Sequence, residues 1–272
     1  MSSTGADRYD DLHVADTGEA ELAAVVCLHS LFLDHTMFDQ LVAAAAGRFR
    51  MVRPDFRGQG ANPDATETVT MDQCADDILR LLDRLGLERV HVVAQSMGGD
   101  VAVRVAARRP DAVDRLVLIG SSARDEPPEH LEAFRPIADE VARRGIADGL
   151  LDTTTQIMFG ETCRSDPTRA DMVAQWRAHF AALSPGVAHA IRGVVERPSA
   201  VSLLPSITAT TLVVNGGEDD VRPPEWSHEL VDGIPDARLW TLPTSGHSVI
   251  LEQPNIVIER VLNFLEGDSP PT

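Results

Sequence analysis

The chain lacks several features that would point to particular classes of function. It has no lysine, three cysteines and only 4% aromatic residues, and its 42 acidic side chains outnumber its 24 arginines. The resulting net charge of −18 repels phosphate backbones and anionic membranes. We therefore expect neither a nucleic acid nor a membrane as a partner.

Patterns that would bind a metal or form a disulfide framework are also missing. Cys27, Cys74 and Cys163 are widely spaced and form no C-x-x-C pair, and the nine histidines include no H-E-x-x-H pattern. We predict no metal and no other cofactor.

Long apolar segments are absent as well. No run approaches the roughly 18 residues of a membrane-spanning helix, and Met1 to Asp10 lack the pattern of a signal peptide. We expect a cytoplasmic protein, and a homo-oligomer is left open. The length of 272 residues fits one large α/β domain with an inserted segment.

Short apolar segments alternate with amphipathic ones along most of the chain. Such alternation predicts an α/β fold with a mostly parallel central sheet and helices on both faces. The predicted strands are 22–28, 50–54, 90–94, 116–119, 211–215 and 238–242, and the predicted helices are 37–46, 71 to about 86, 98–109, 225–231 and 255–265.

The strand pattern stops between the fourth and fifth predicted strands. Four helical segments occupy this stretch, at 131–144, 147–158, 169–183 and 186–195. We interpret residues 122–198 as an inserted helical cap, and residues 1–121 and 199–272 as the core.

Ser96 stands between an apolar strand and a helix start. Ala94 and Gly98 lie two positions away on either side, where a very tight turn tolerates only small side chains. This pattern is typical of a nucleophile elbow, although an ordinary strand-to-helix turn is the alternative.

A serine hydroxyl becomes a strong nucleophile only beside a base that an acid orients. Asp219 and Asp220 follow the predicted strand 211–215, and His247 follows the next one. The order Ser, Asp, His is that of the α/β-hydrolase motifs, but spacing from the strand alone leaves both acids open.

Together these segments resemble the serine-nucleophile branch of the α/β-hydrolase superfamily over nearly the whole chain. In that family the acid lies in G-x-x-D-x-x-x-P, which favours Asp219 over Asp220. The base lies in G-H-x-x-x-x-E-x-P. The matching residues are Gly216, Asp219, Pro223, Gly246, His247, Glu252 and Pro254.

The resemblance also implies an oxyanion hole made by the backbone amides of Leu31 and Met97. Ser30 stands where most members have glycine, and a positive φ there would be unfavourable for serine. Oxoadipate enol-lactonases resemble this loop better, since they share its Ser-Leu pair. His29 is expected to brace the loop.

Two further regions have competing interpretations. The turn from Asp55 to Gly60 resembles the family's D-x-R-G-x-G turn, for which we favour a structural role. The arginines Arg192 and Arg197 either bind a substrate carboxylate or are solvated at the surface, and we favour the solvated surface. Large cap side chains either line a substrate pocket over Ser96 or form the cap's own core; these are Phe134, Met158, Phe159, Trp176 and Phe180. The predicted substrate-binding residues are Phe32, Met158, Phe159, Trp176 and Phe180.

The resemblance implies a hydrolase that acts on a small-molecule ester or lactone through an acyl-enzyme. A carbon–carbon bond hydrolase or perhydrolase with the same triad is an alternative, and so is a small-molecule receptor on the same fold that does not turn over. Epoxide hydrolases and haloalkane dehalogenases of this family are not expected, because they have Asp where this chain has Ser96.

Overall fold

The structure is a computed structural model that describes residues 6–9 and 12–267. A central β-sheet organises this part of the chain. Most of the N-terminal segment from Met1 to Asp10 lies outside these residues. The sheet has eight strands in the order β1-β2-β4-β3-β5-β6-β7-β8. Its strands are β1 Ala6–Tyr9, β2 Leu12–Asp16, β3 Ala24–Leu28, β4 Arg50–Pro54, β5 Val90–Gln95, β6 Val113–Ile119, β7 Thr210–Gly216 and β8 Ala237–Leu242.

Strands β3 to β8 are parallel to one another, while β2 pairs antiparallel with both β1 and β4. The mostly parallel sheet confirms the predicted fold class. The first two strands, β1 and β2, were not predicted, because they are only four and five residues long and mix apolar with polar residues.

The helices of the described residues lie close to the predicted segments, with two extra short helices. The helices are α1 Asp39–Ala45, α2 Met71–Leu85, α3 Met97–Arg108, α4 Pro128–Arg144, α5 Asp148–Met158, α6 Glu161–Ser165, α7 Ala170–Ala182, α8 Ala188–Val195, α9 Pro224–Gly233, α10 Val249–Glu252 and α11 Pro254–Glu266. The extra ones are α6 and α10. Local sequence sets several ends: α2 starts at a capping box formed by Thr70 and Gln73, and stops where Gly86 takes a φ of 65°.

Two apolar cores cover the two faces of the sheet. Alternate residues of β3 point into opposite cores, Val26 and Leu28 into one and Val25 and Cys27 into the other. Both sets are fully buried, which explains why this strand is a continuous apolar run rather than an alternating one.

The carboxyl ends of the parallel strands meet at one edge of the sheet. Leu28 of β3 pairs with Ala94 of β5, and Ile119 of β6 pairs with Gln95 of β5 and Val214 of β7. The loops that follow these strands therefore converge, as is usual for ligand sites in open α/β sheets.

Helices α4 to α8 lie between β6 and β7 in the chain. We propose that they form the cap, with the predicted limits 122–198. Within the described residues, no helix is both long enough and apolar enough to cross a bilayer.

Candidate active site

Ser96 occupies a strained turn between β5 and α3. Its backbone has a φ of 52° and a ψ of −114°, a left-handed conformation that non-glycine residues rarely adopt. A side chain at Gly98 would overlap the carbonyl oxygen of Leu28, so the turn packs directly against β3. This geometry is that of the predicted nucleophile elbow.

Asp219 and His247 meet on the loops after β7 and β8. The Nδ1 atom of His247 lies 2.8 Å from Oδ2 of Asp219. The other oxygen of Asp219 accepts hydrogen bonds from the amides of Val221 and Arg222, both at 2.9 Å. Asp219 is buried whereas Asp220 is exposed, so the carboxylate facing the imidazole is that of Asp219.

The contact with Asp219 fixes the role of each ring nitrogen of His247. A carboxylate only accepts, so Nδ1 carries the proton and Nε2 keeps its lone pair in the neutral ring. Ser96 and His247 line one cavity, but the described residues include no hydrogen bond between them. Such a bond often tightens only when substrate is present.

Of the two predicted oxyanion donors, Met97 directly follows Ser96, and Leu31 lines the same cavity as Ser96. Met97 is the first residue of α3, and Leu31 follows β3; no described residue accepts a hydrogen bond from either amide. Ser30 does not take a positive φ, and the left-handed residue of this loop is Phe32, with a φ of 68°. The serine at position 30 is therefore compatible with the loop.

Gln59, which no sequence motif indicated, contacts both segments that carry the predicted oxyanion donors. Its side-chain oxygen accepts a hydrogen bond from the amide of Phe32 at 3.1 Å, and its nitrogen lies 3.4 Å from the sulfur of Met97. The turn after β4 thus contacts both segments beside Ser96, and no local motif links residues so far apart in the sequence.

His29 braces the same loop, as the resemblance implies. Its Nδ1 donates to the carbonyl of Ser30 at 2.8 Å, and its Nε2 accepts from the amide of Phe56 at 2.9 Å. Complete burial lowers the pKa of His29, which favours the neutral ring that this pair of bonds requires.

Glu252 holds the loop that carries His247. Its carboxylate accepts hydrogen bonds from the amides of Gly246 at 2.8 Å, Ser248 at 3.1 Å and Gly160 at 3.3 Å. Burial raises the pKa of Glu252 to about 7, although these three donors favour the ionised form. Because Gly160 belongs to the proposed cap, Glu252 also ties the cap to the His247 loop.

A cavity of about 80 Å³ lies over Ser96 and His247. Of the side chains expected to line a substrate pocket, Phe32, Phe134 and Met158 line it, as does Leu31. Phe159, Trp176 and Phe180 are not among its lining residues and pack instead into the core on the α1 and α11 face of the sheet. We therefore do not include these three in the substrate site.

Comparison with known proteins identifies the family. Residues 23–254 match the family described as the alpha/beta hydrolase fold. The chain belongs to this family. The match confirms the resemblance seen in the sequence. The family model and the names of the relatives described next indicate a hydrolytic enzyme.

Relatives of this α/β-hydrolase include esterases and lactonases. A thermophilic esterase from Thermogutta terrifontis is 31% identical, with a TM-score of 0.85 over 94% of this chain and 93% of its own. The enol-lactonase from Burkholderia xenovorans LB400 is 28% identical, with a TM-score of 0.85 over 94% and 96%. The 3-oxoadipate enol-lactonase 1 of Acinetobacter baylyi is 29% identical over 77% of this chain and 76% of its own.

This α/β-hydrolase also buries four charged side chains around its cavity. Glu126 and Arg222 line the cavity, and Arg197 and Asp100 lie behind them, each at most 8% exposed. Arg197 was expected to be solvated, which is wrong: it is 3% exposed and paired with both acids. Both acids that pair with Arg197 lie far from it in the sequence.

Among the described residues, His13, His35 and Asp55 form a group whose donor atoms are close enough to hold a metal ion. The carboxylate of Asp55 already accepts from the amides of His35 at 2.8 Å and Ala61 at 2.9 Å, and lies 3.0 Å from Nδ1 of both histidines. Burial opposes its charge, yet the hydrogen bond from His35 holds the pKa of Asp55 well below its usual range. Hydrogen bonds to Asp55 account for the close approach of these three side chains. The absence of a metal remains a prediction.

Proposed function

We propose that this chain hydrolyses a small carboxylic ester or lactone, with Ser96 as nucleophile, His247 as general base and Asp219 as the acid that orients it. One observation carries the proposal. The imidazole of His247, fixed by Asp219, shares a small cavity with a serine held in a strained turn. A bound ester would complete the bond from Ser96 to Nε2.

In the first step, Nε2 of His247 takes the proton of Ser96 while the oxygen attacks the carbonyl carbon. The amides of Leu31 and Met97 stabilise the resulting oxyanion, and the N-terminus of α3 adds its dipole. When the oxyanion collapses, the bond to the alcohol oxygen breaks and His247 gives that oxygen its proton. An acyl group remains on Ser96.

In the second step, water attacks this acyl group while His247 takes one of its protons. The bond to Ser96 breaks, His247 returns the proton to the serine oxygen, and the carboxylic acid leaves. No cofactor is needed for either step. A lactone follows the same steps, except that acid and alcohol remain on one molecule.

Two other functions use the same residues. A carbon–carbon bond hydrolase or perhydrolase would require a different substrate in the same cavity, and the esterase and enol-lactonase relatives favour ester chemistry instead. A receptor would bind an ester-like ligand without repeated turnover.

We propose a cytoplasmic location and a small-molecule ester or lactone as the partner.

The test compares the wild type with Ser96→Ala and with Ser202→Ala, which changes an exposed serine. With a short aryl ester, we expect the wild type and Ser202→Ala to turn over at about 1 per second or faster. Loss of the nucleophile should lower turnover by roughly four to six powers of ten. An organophosphonate should label Ser96 stoichiometrically.

Each other outcome has a defined meaning. Activity of Ser96→Ala within tenfold of the wild type would reject Ser96 as the nucleophile. A single stoichiometric burst without further product, over both esters and lactones, would favour the receptor.

A further inference from the structure

We propose that the catalytic cavity accepts a short, uncharged acyl group, and that Glu126 is the residue that excludes acyl groups carrying a carboxylate. This inference rests on the proposed ester or lactone hydrolysis. It starts from the four buried charges beside Ser96 and from the size of the cavity.

Glu126 pairs with both buried arginines. Its Oε1 accepts from Nη1 of Arg222 at 2.7 Å and from Nη1 of Arg197 at 2.6 Å. Its other oxygen lies 2.9 Å from Nδ1 of His130. Burial opposes the charge, but Arg222 and Arg197 hold the pKa of Glu126 at about 2, so this carboxylate is ionised at neutral pH.

Asp100 completes the network on the side away from the cavity. Its Oδ2 lies 3.3 Å from Nη2 of Arg222 and 3.2 Å from Nε of Arg197. Two guanidinium groups thus face two carboxylates. In this network the positive charges are fully balanced, although Arg222 itself lines the cavity.

A carboxylate on the substrate would therefore meet no surplus positive charge in this wall. It would lose its hydration on entering and would lie against Glu126, which carries the same charge. Burying an unpaired carboxylate is strongly unfavourable in proteins. An apolar acyl group has no such cost, and most of the lining is apolar, including Leu31, Ile191 and Val194.

The size of this inner cavity limits the length of the acyl chain. It measures about 80 Å³. An apolar protein cavity that binds benzene measures about 150 Å³, so roughly half of that volume suits a chain of about three or four carbons.

A second, outer cavity of about 350 Å³ adjoins the inner one and shares with it Glu126, Phe134, Thr153, Ile157 and Val221. Asp220 and Val221, next to the acid that holds His247, line this outer cavity. His247 must give its proton to the leaving oxygen. His247 lines the inner cavity together with Val221, which both cavities share, so a leaving group that takes this proton can extend past Val221 into the outer cavity. The alcohol portion therefore has more room than the acyl portion.

The first experiment uses the wild type and three methyl esters: methyl butyrate, monomethyl succinate and methyl octanoate. Methanol release gives kcat/KM for each at pH 8. Monomethyl succinate matches the butyrate in acyl length but ends in a carboxylate. We expect butyrate to exceed succinate by about 100-fold or more, because a desolvated charge is strongly unfavourable. Octanoate should also be poorer than butyrate.

The second experiment tests Glu126 itself. Glu126→Gln leaves Arg197 and Arg222 with one carboxylate fewer, so the preference for butyrate over succinate should fall by about tenfold, which corresponds to about 1.4 kcal/mol. Glu129→Gln makes the same chemical change three residues away at an exposed position, and should leave the preference as in the wild type. Circular dichroism establishes that each variant is folded.

These outcomes separate the inference from the proposed function. If no ester or lactone turns over, the proposed function fails. If esters turn over but wild-type succinate equals butyrate, only the inference is overturned. An unchanged preference in folded Glu126→Gln would reject the role of Glu126. If that variant does not fold, the wild-type comparison still decides whether the cavity excludes the anion.

Discussion

Two adjacent carboxylates after β7 have very different surroundings. Asp219 is 4% exposed and uses both oxygens, one toward His247 and one toward two backbone amides. Asp220 is exposed and borders the outer cavity. An orienting acid must hold one ring nitrogen of the base, and Asp219 has the geometry for this.

We expect Asp219→Asn to lower turnover by a factor of about 10³ or more, because an amide no longer selects the tautomer that has a free Nε2. Asp220→Asn removes an exposed charge at the neighbouring position and serves as the matched control, for which we expect a change within a few-fold. Steady-state kinetics of both variants check this. A large loss in Asp220→Asn with little loss in Asp219→Asn would transfer the role to Asp220.

Residues that belong to a local motif were predictable, while residues brought in by folding were not. Ser96, Asp219 and His247 each lie in a short segment whose spacing follows from a strand end. Glu126 pairs with Arg197 and Arg222 at sequence separations of 71 and 96 residues. No local pattern links residues so far apart, so their burial and pairing required the fold.

At the scale of elements, the proposed cap rests on the core through a close backbone contact. A side chain at Gly193 of α8 would overlap the carbonyl oxygen of Val69, in the loop before α2. The amide of Val69 also donates to the carbonyl of His189, at 3.1 Å. Helix α8 supplies Ile191 and Val194 to the catalytic cavity, so this contact sets the position of one cavity wall.

We expect Gly193→Ala to destabilise the protein by about 1–3 kcal/mol, because the added methyl group forces α8 away from the loop. Gly149→Ala is the matched control: this helical glycine has open space around it, so alanine should be neutral or stabilising by up to about 1 kcal/mol. Urea unfolding measures both. Equal stability of the two variants would show that α8 can shift without cost.

Elements with a strong apolar period were predicted to within a few residues, and weak ones were missed. Strand β4 was predicted at its observed limits, Arg50–Pro54, and its apolar residues are buried. Strand β2, Leu12–Asp16, pairs with β4, but five residues that mix apolar and polar side chains are too few to show a clear period. Helix α4 starts three residues earlier than predicted, at Pro128, since proline fits the first turn of a helix.

At the scale of the whole molecule, one buried carboxyl group couples folding to pH in the neutral range. Glu252 is 2% exposed, and its pKa is raised from 4.5 to about 7. The native state therefore keeps a proton that the unfolded state releases over this interval. Stability from this group is fully present below about pH 4.5 and is lost as the pH rises through 7. The pKa of Glu126, in contrast, is lowered to about 2, so its contribution is constant above pH 4.5.

Comparison of the wild type with Glu252→Gln isolates this effect, because glutamine does not titrate. We expect the free energy of unfolding of the wild type, relative to the variant, to decrease between pH 4.5 and 7 by at most about 3 kcal/mol. Urea unfolding at several pH values measures the difference. Glu259→Gln changes an exposed acid on α11 and should show a difference that does not vary with pH. A constant difference for Glu252→Gln as well would mean that the three backbone amides, rather than burial, determine the ionisation of Glu252.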